Sequence, residues 1–230
     1  MCRIGSGSTL MDIVQAVIPA LLKGAGITLQ TAIQAGLLAI LISVVVGVLR
    51  DVGGRFVRFV LTVYVEFFRG SSAFVQVYWV FFVLPLFGLR LSAILAGTLV
   101  LGLNAGAYGS EIMRGALRAV PPGQREACVA LNLSQWSALT RILIPQALTR
   151  AIIPFGNLLI DLLKGTALLS SITVTELAFA GRQSASANGS PLIIFSLVLL
   201  IYLVLAAPIA WTTKLMDQRV RRKQSIGRAP

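Results

Sequence analysis

Pro121-Pro122-Gly123-Gln124-Arg125-Glu126-Ala127-Cys128-Val129-Ala130-Leu131-Asn132-Leu133-Ser134-Gln135-Trp136-Ser137-Ala138-Leu139-Thr140-Arg141-Ile142-Leu143-Ile144-Pro145 decides how this chain is read. The segment is too polar to span a bilayer and too regularly apolar to be a free loop. A first helix is predicted from about Gly123 to Leu131. Asn132 then sits where a residue with positive φ would end it, a role in which Asn is the best substitute for Gly. Ser134 can cap a second helix, in which Trp136, Leu139, Ile142 and Leu143 recur at helical spacing and which Pro145 stops or bends. The product is helix, sharp corner, helix. Such an amphipathic unit either lies on the membrane surface and anchors the loop, or docks against a partner in the cytoplasm.

The rest of the chain reads as membrane. Only 12% of its 230 residues are charged, about half the share in a soluble domain. The net charge of +12 invites a nucleic-acid reading, but the placement of the charges opposes it. Fourteen of the twenty Lys and Arg residues fall in three groups that alternate with apolar runs. These are Arg50, Arg55 and Arg58; Arg114, Arg118, Arg125, Arg141 and Arg150; and Lys214, Arg219, Arg221, Arg222, Lys223 and Arg228. Arg3, Lys23, Arg90 and Arg182 lie in the other connections. This is the positive-inside pattern, with the N-terminus outside and the C-terminus inside. It excludes nucleic acid as the expected partner and makes the lipid bilayer the solvent.

The chain holds two cysteines and no histidine. Cys2 and Cys128 fall on opposite sides of the predicted membrane, so neither a disulfide framework nor a cysteine–histidine metal site is expected. Residues 1–10 are small and polar, which predicts no signal peptide, and Met11 is an alternative start.

Residues 10–22 suit a short helix at the outer interface. Residues 27–49 carry no charge over 23 positions, enough for about 30 Å of hydrocarbon. Arg50 to Arg55 form an inner turn. Residues 56–69 and 73–89, separated by Gly70-Ser71-Ser72, read as one kinked or two-part element crossing once. Further spans are expected at 92–113, 151–172 and 191–213, with a polar outer connection at 173–190 and a basic tail after 213 that suits anionic lipid. The sequence shows no internal repeat, and five spans divide badly into halves, which opposes a self-contained secondary transporter.

Ionisable residues inside spans are costly and mark cavities or partners. Asp161 and Lys164 are three apart on one predicted helix, with Asn157 one turn back. They form either a polar patch along a solute pathway, holding both charge signs, or a structural ion pair between helices. Glu66 with Arg69, and Glu111 with Arg114, repeat the spacing nearer the inner face and suit structure or gating. Asn104 and Tyr108 lie one turn apart on a helix that Gly102 and Gly106 allow to pack closely. They face either the pathway or a neighbour. The aromatic run Tyr78, Trp79, Phe81 and Phe82 suits lipid or packing.

Glu126-Ala127-Cys128, Asn132 and Ile142-Leu143-Ile144-Pro145 resemble the EAA loop of ABC importer permeases. That motif reads Glu-Ala-Ala, three residues, Gly, nine residues, Ile, one residue, Leu-Pro, and its spacing is intact here. Cys128, Asn132 and Ile144 depart from it mildly. Tyr64 to Gly70, Asn104 to Glu111, Arg114-Gly115 and Val120 to Gln124 resemble the polar-amino-acid branch of the same family. Arg69-Gly70-Ser71-Ser72, Lys164-Gly165-Thr166-Ala167-Leu168 and Ala130-Leu131-Asn132 look most like its ectoine and hydroxyectoine permeases.

The resemblance implies an all-α membrane protein with the type I ABC importer transmembrane fold (MetI-like) and five transmembrane helices. It implies an N-terminal interfacial segment 1–22, a transmembrane domain 23–215 with a coupling loop 115–149, and a tail 216–230. It places the protein in a bacterial inner membrane with two copies of an ABC ATPase, a second permease subunit, identical or homologous, and an extracytoplasmic solute-binding protein. Arg125, Glu126, Ala127, Cys128, Ala130, Asn132, Leu133, Ile142 and Pro145 would form the interface to the ATPase. ATP and Mg would be bound there; no cofactor is expected in this chain. Lys164-Gly165-Thr166 lacks the glycine-rich run and strand of a phosphate-binding loop, so the chain is not expected to be an enzyme. Two other classes remain at this point, a stand-alone channel or ion-coupled carrier and a non-transporting membrane scaffold for an ATPase.

Overall fold

The structure is a computed structural model that describes residues 10–188 and 190–226, with side chains over 13–187 and 190–222. Cys2, Arg3 and the question of the start lie outside the described residues. Among those residues the chain is helical throughout, in the order α1 (Leu10–Val52), α2 (Arg55–Gly70), α3 (Ala73–Tyr78), α4 (Ala93–Arg118), α5 (Pro122–Ala130), α6 (Gln135–Ala138), α7 (Ile144–Gly165), α8 (Leu177–Asn188) and α9 (Pro191–Ile226). A π-helical turn, Trp79–Val83, and a 3₁₀ turn, Leu84–Phe87, extend α3. Four described helical stretches are long and apolar enough to cross a membrane, five if the bent α2–α3 pair counts as one.

The helix α1 corrects the expected opening of the chain. No break separates 10–22 from 27–49; one helix of 43 residues runs through Pro19 and Lys23. At 1.5 Å per residue it is about 65 Å long, well beyond the thickness of a hydrocarbon core. A proline inside a helix costs about 3 kcal/mol. Val17, Leu21 and Ala25, buried against Leu177, Ala180, Ile194 and Val198, offset that cost. Val17 and Leu21 each contribute about 1.5–3 kcal/mol when fully buried. Arg50 and Asp51 accordingly end a helix rather than make a turn. At the other end of the chain, α9 carries on to Ile226 and absorbs most of the expected tail.

The two-part element at 56–89 is found, with a bend of 101° between its halves. The bend is held by hydrogen bonds. Gln76 Nε2 donates to Phe68 O at 3.1 Å and to Ser71 Oγ at 2.7 Å, and Asn104 Nδ2 donates to Phe68 O at 2.9 Å and Gln76 Oε1 at 3.2 Å.

The α1–α4 pairing forms the spine. A Cβ at Gly102 would lie 2.7 Å from Leu38 Cδ2, and one at Gly106 2.7 Å from Ile42 Cγ2, so these glycines let the two backbones approach. The central core joins Ala35, Ala39, Val100, Leu101, Leu162 and Leu169 from α1, α4 and the α7 region. A second core, of Val48, Met113, Leu117, Leu139, Leu143 and Ala147, seats the 121–145 hairpin on the ends of α1 and α4.

Two further expectations change. Pro145 does not stop the second helix of the hairpin. A π-helical turn, Leu139–Leu143, precedes it, and α7 continues from Ile144 with Pro145 in its first turn. The wide turn occurs where the backbone hydrogen bond from position 145 is absent in any case. Residues 173–190 are largely the helix α8, packed between α1 and α9, rather than a polar connection.

Candidate functional site

The hairpin corner has the geometry its residues call for. Asn132 takes φ 50°. The Leu133 N–H donates to Cys128 O at 3.0 Å and the Asn132 N–H to Val129 O at 2.9 Å. This paired closure of a helix end satisfies carbonyls that α5 would otherwise leave open. Ser134 Oγ then accepts from the Ser137 N–H at 3.2 Å and caps α6. Within α5 only Cys128 is buried. Cys128, Leu133, Leu139 and Leu143 line a groove of about 230 Å³ that Asp51 and Val52 close from α1.

Outward from that seat, Glu126, Ala127, Ala130 and Asn132 are exposed, Ile142 is half-buried and Pro145 is exposed. Val129, Leu131 and Trp136 are 77%, 70% and 64% exposed. A rigid corner thus presents a carboxylate among large apolar side chains. Polar ties hold it from behind. Arg125 Nη2 donates to Asp51 Oδ2 at 3.2 Å and to Leu117 O at 3.4 Å, and Gln146 Nε2 donates to Gln124 Oε1 at 3.1 Å.

Next to this tie lies a half-buried charge cluster. Glu111 on α4 accepts from Arg114 Nη2 at 2.6 Å and Nε at 3.0 Å, as the spacing suggests, and also from Arg50 Nη1 of α1 at 2.5 Å. The Arg50 side chain is only 5% exposed. Its Nε has no partner among the described residues. Sequence reading placed Arg50 in an inner turn and missed this role; the signal was a span acid, Glu111, with arginines in the neighbouring connections.

The Glu66–Arg69 pair does not form. Both residues are exposed, and Arg69 instead places its guanidinium 5.5 Å from the Tyr108 ring centroid. Rotation about α2 explains the difference. Val65 is its buried residue, and Tyr64, which donates to Leu103 O at 2.7 Å, ties the same side to α4. Arg69 is thereby directed over α4, toward Tyr108.

Asn104, Tyr108 and Asp161 line one groove of about 260 Å³, between the α2–α3 bend and α7. Asn104 is committed to holding the bend, whereas Tyr108 is 43% exposed. Asp161 and Lys164 stand 3.8 Å apart with side chains 76% and 64% exposed. They are therefore not a pair packed between helices of this chain. Asn157 is exposed on the same helix, outside the lining of the groove.

One residue escaped sequence reading altogether. Glu176 is fully buried. It accepts from the N–H groups of Ala178 at 2.9 Å and Phe179 at 2.8 Å, capping α8, and from Tyr202 OH of α9 at 2.9 Å. Thr28 of α1 donates to it at 3.5 Å and accepts from the Leu177 N–H at 3.1 Å. A lone acid just ahead of an apolar run was a local sign of a helix cap; its partners lie far away in the chain.

Comparison with known proteins accords with this architecture. Residues 39–222 match the family described as binding-protein-dependent transport system inner membrane component. The chain is 39% identical over 206 residues to a probable amino-acid ABC transporter permease, y4tF, of Sinorhizobium fredii, covering 87% of each. It is 33% identical to the glutamine transport system permease GlnP of Escherichia coli, covering 89% of this chain and 94% of that one. Among solved structures, an amino acid ABC transporter crystallised with histidines superposes with a TM-score of 0.84 at 26% identity, over 93% of this chain and 100% of that chain. The match across most of its length makes this chain a member of the binding-protein-dependent transport system inner membrane components, a multi-pass permease subunit of an ABC importer.

Proposed function

We propose that this permease carries a small zwitterionic solute, an amino acid or a compact relative of the ectoine kind, across the inner membrane. The solute passes along the face that holds Tyr108, Asn157, Asp161 and Lys164. Its five spans run N-terminus outside to C-terminus inside, with α2 and α3 together as one, and the hairpin lies in the cytoplasm. The observation that carries the reading is the surface of that hairpin: Glu126 surrounded by exposed Val129, Leu131 and Trp136 on a corner fixed by Asn132. A patch of large apolar residues on a rigid support calls for a protein partner. The partner is a soluble ATPase, two copies per complex, which binds ATP and Mg and closes on the hairpin. Arg125, Ala127, Cys128, Ala130, Leu133, Ile142 and Pro145 shape or support the docking face.

The exposed charges of α7 supply the cargo argument. Asp161 suits an ammonium group and Lys164 a carboxylate, and neither is buried by this chain. Such a face is completed by a second permease subunit, identical or homologous, with the pathway between the two. Relatives that act on amino acids support the cargo class. A solute-binding protein outside delivers the cargo. ATP-driven closure shifts the pathway between its two faces through contacts that differ between the states.

The test is purification of the tagged subunit from its native membrane in mild detergent, followed by uptake in vesicles with and without internal ATP. A soluble ATPase in near-stoichiometric amount and ATP-dependent uptake of a zwitterion are expected. Recovery of the chain alone, or uptake indifferent to ATP, would overturn the reading.

A further inference from the structure

The last turn of α1 places two adjacent, oppositely charged residues against two different neighbours. Arg50 is directed inward and donates to Glu111 of α4 at 2.5 Å. Asp51 accepts from Arg125 of α5 at 3.2 Å, with a side chain only 13% exposed. We propose that Arg50 and Asp51 form the joint through which displacement of the α5–α6 hairpin reaches the α1–α4 spine. Both act as positioning residues; neither touches cargo or nucleotide.

Three observations carry this. First, α5 is attached to the body sparingly: Cys128 is its buried residue, and its apolar side chain at Val129 is exposed. Polar ties therefore carry a large share of any directed pull. Second, Arg125 gives α5 a side-chain ion pair with α1, while Gln124 reaches α7 through neutral Gln146. Third, α1 is not free to respond alone. The Glu111 carboxylate is held by Arg50 across the helix pair and by Arg114 along α4, in a place where an unpaired charge is strongly disfavoured. A pull on Asp51 thus acts on the residue next to a buried lock, at the end of the longest helix pairing in the molecule. The Asp51–Arg125 tie, whose arginine is 43% exposed, can break and re-form; the Arg50–Glu111 tie, whose arginine is 5% exposed, stays closed. This ordering suits a linkage that moves at one end and is rigid at the other.

The inference rests on the importer reading and is tested on the whole complex. Asp51→Asn, Asp51→Glu and Arg125→Gln are introduced alone, Asp51→Asn is also combined with Arg125→Gln, and the complexes are reconstituted with the solute-binding protein. ATP hydrolysis and uptake are measured on the same vesicles. Asp51→Asn is expected to retain the ATPase subunit and to lower solute moved per ATP by about fivefold, the low end of a typical coupling effect. Asp51→Glu recovers most of that loss, and Asp51→Asn with Arg125→Gln is no worse than the more impaired single variant. Wild-type coupling in Asp51→Asn, losses that add in the double variant, or release of the ATPase from Asp51→Asn would each overturn the joint. None of these touches the broader reading, which fails only if the unaltered chain binds no ATPase or moves solute without ATP.

Discussion

Glu111–Arg114 and Asp161–Lys164 have the same three-residue spacing on two helices of one core, yet the fold treats them oppositely. Glu111 is drawn into a cluster with buried Arg50, at 2.5–2.6 Å from its two closest donors. Asp161 and Lys164 stay exposed and 3.8 Å apart. Spacing alone supports only a weak pair, worth a few tenths of a kcal/mol on an isolated helix. What separates the two is a third charge on another helix. Arg50 turns the first pair into a lock between α1 and α4, whereas among the described residues no further cation or anion meets the second. Charges left bare in an apolar setting are costly unless something else completes them, which is the ground for proposing that the second pair, and not the first, lines the pathway.

Three variants would break or sharpen that contrast. Arg50→Ala has the largest expected effect on stability. It leaves Glu111 with one partner in a mostly buried site, and a loss of about 3 kcal/mol is expected, read as thermal melting of the detergent-purified protein. A change no larger than that of Lys164→Ala would mean that the cluster is not a lock. Glu176→Gln comes next. The amide keeps the shape but aims a donor at a place where two N–H groups and Tyr202 OH already donate, so a loss of about 2 kcal/mol is expected. Melting unchanged from the parent protein would show that α8 does not depend on its buried cap. Asp161→Asn with Lys164→Gln has the smallest effect on stability, below about 1 kcal/mol, as for exposed ion pairs generally. The same double variant should lower uptake by about tenfold, equal to about 1.4 kcal/mol on the barrier. Intact uptake would remove these two residues from the pathway.

The hairpin was the most legible part of the molecule. Asn132 as the left-handed corner and Ser134 as the cap are local decisions, written in residue types whose backbone preferences scarcely depend on the surroundings. The same local logic failed where packing outweighs propensity. Residues 10–22 read as a separate short helix, but Val17, Leu21 and Ala25 find partners in α8 and α9 and the helix runs on unbroken. Pro145 reads as a stop or a bend, and of the two the stop does not occur: the chain adopts a π-turn and continues. Residues 173–190 read as a loop because they are polar, and their helix is revealed only by the cap at Glu176.

The sequence by itself determined the class of molecule: apolar runs of spanning length, cations gathered in the connections between them, and a hairpin of the importer kind. Those are properties of single segments and of their order, and a chain in lipid has few other ways to satisfy its backbone. Tertiary structure alone decided which distant polar groups are partners. Arg50 is 61 residues from Glu111, Arg125 is 74 from Asp51, and Thr28 is 148 from Glu176. Contacts at such separations depend on how each helix is turned about its axis. That rotation is set by the sum of packing along the helix, including the close approach that Gly102 and Gly106 permit, rather than by any local motif.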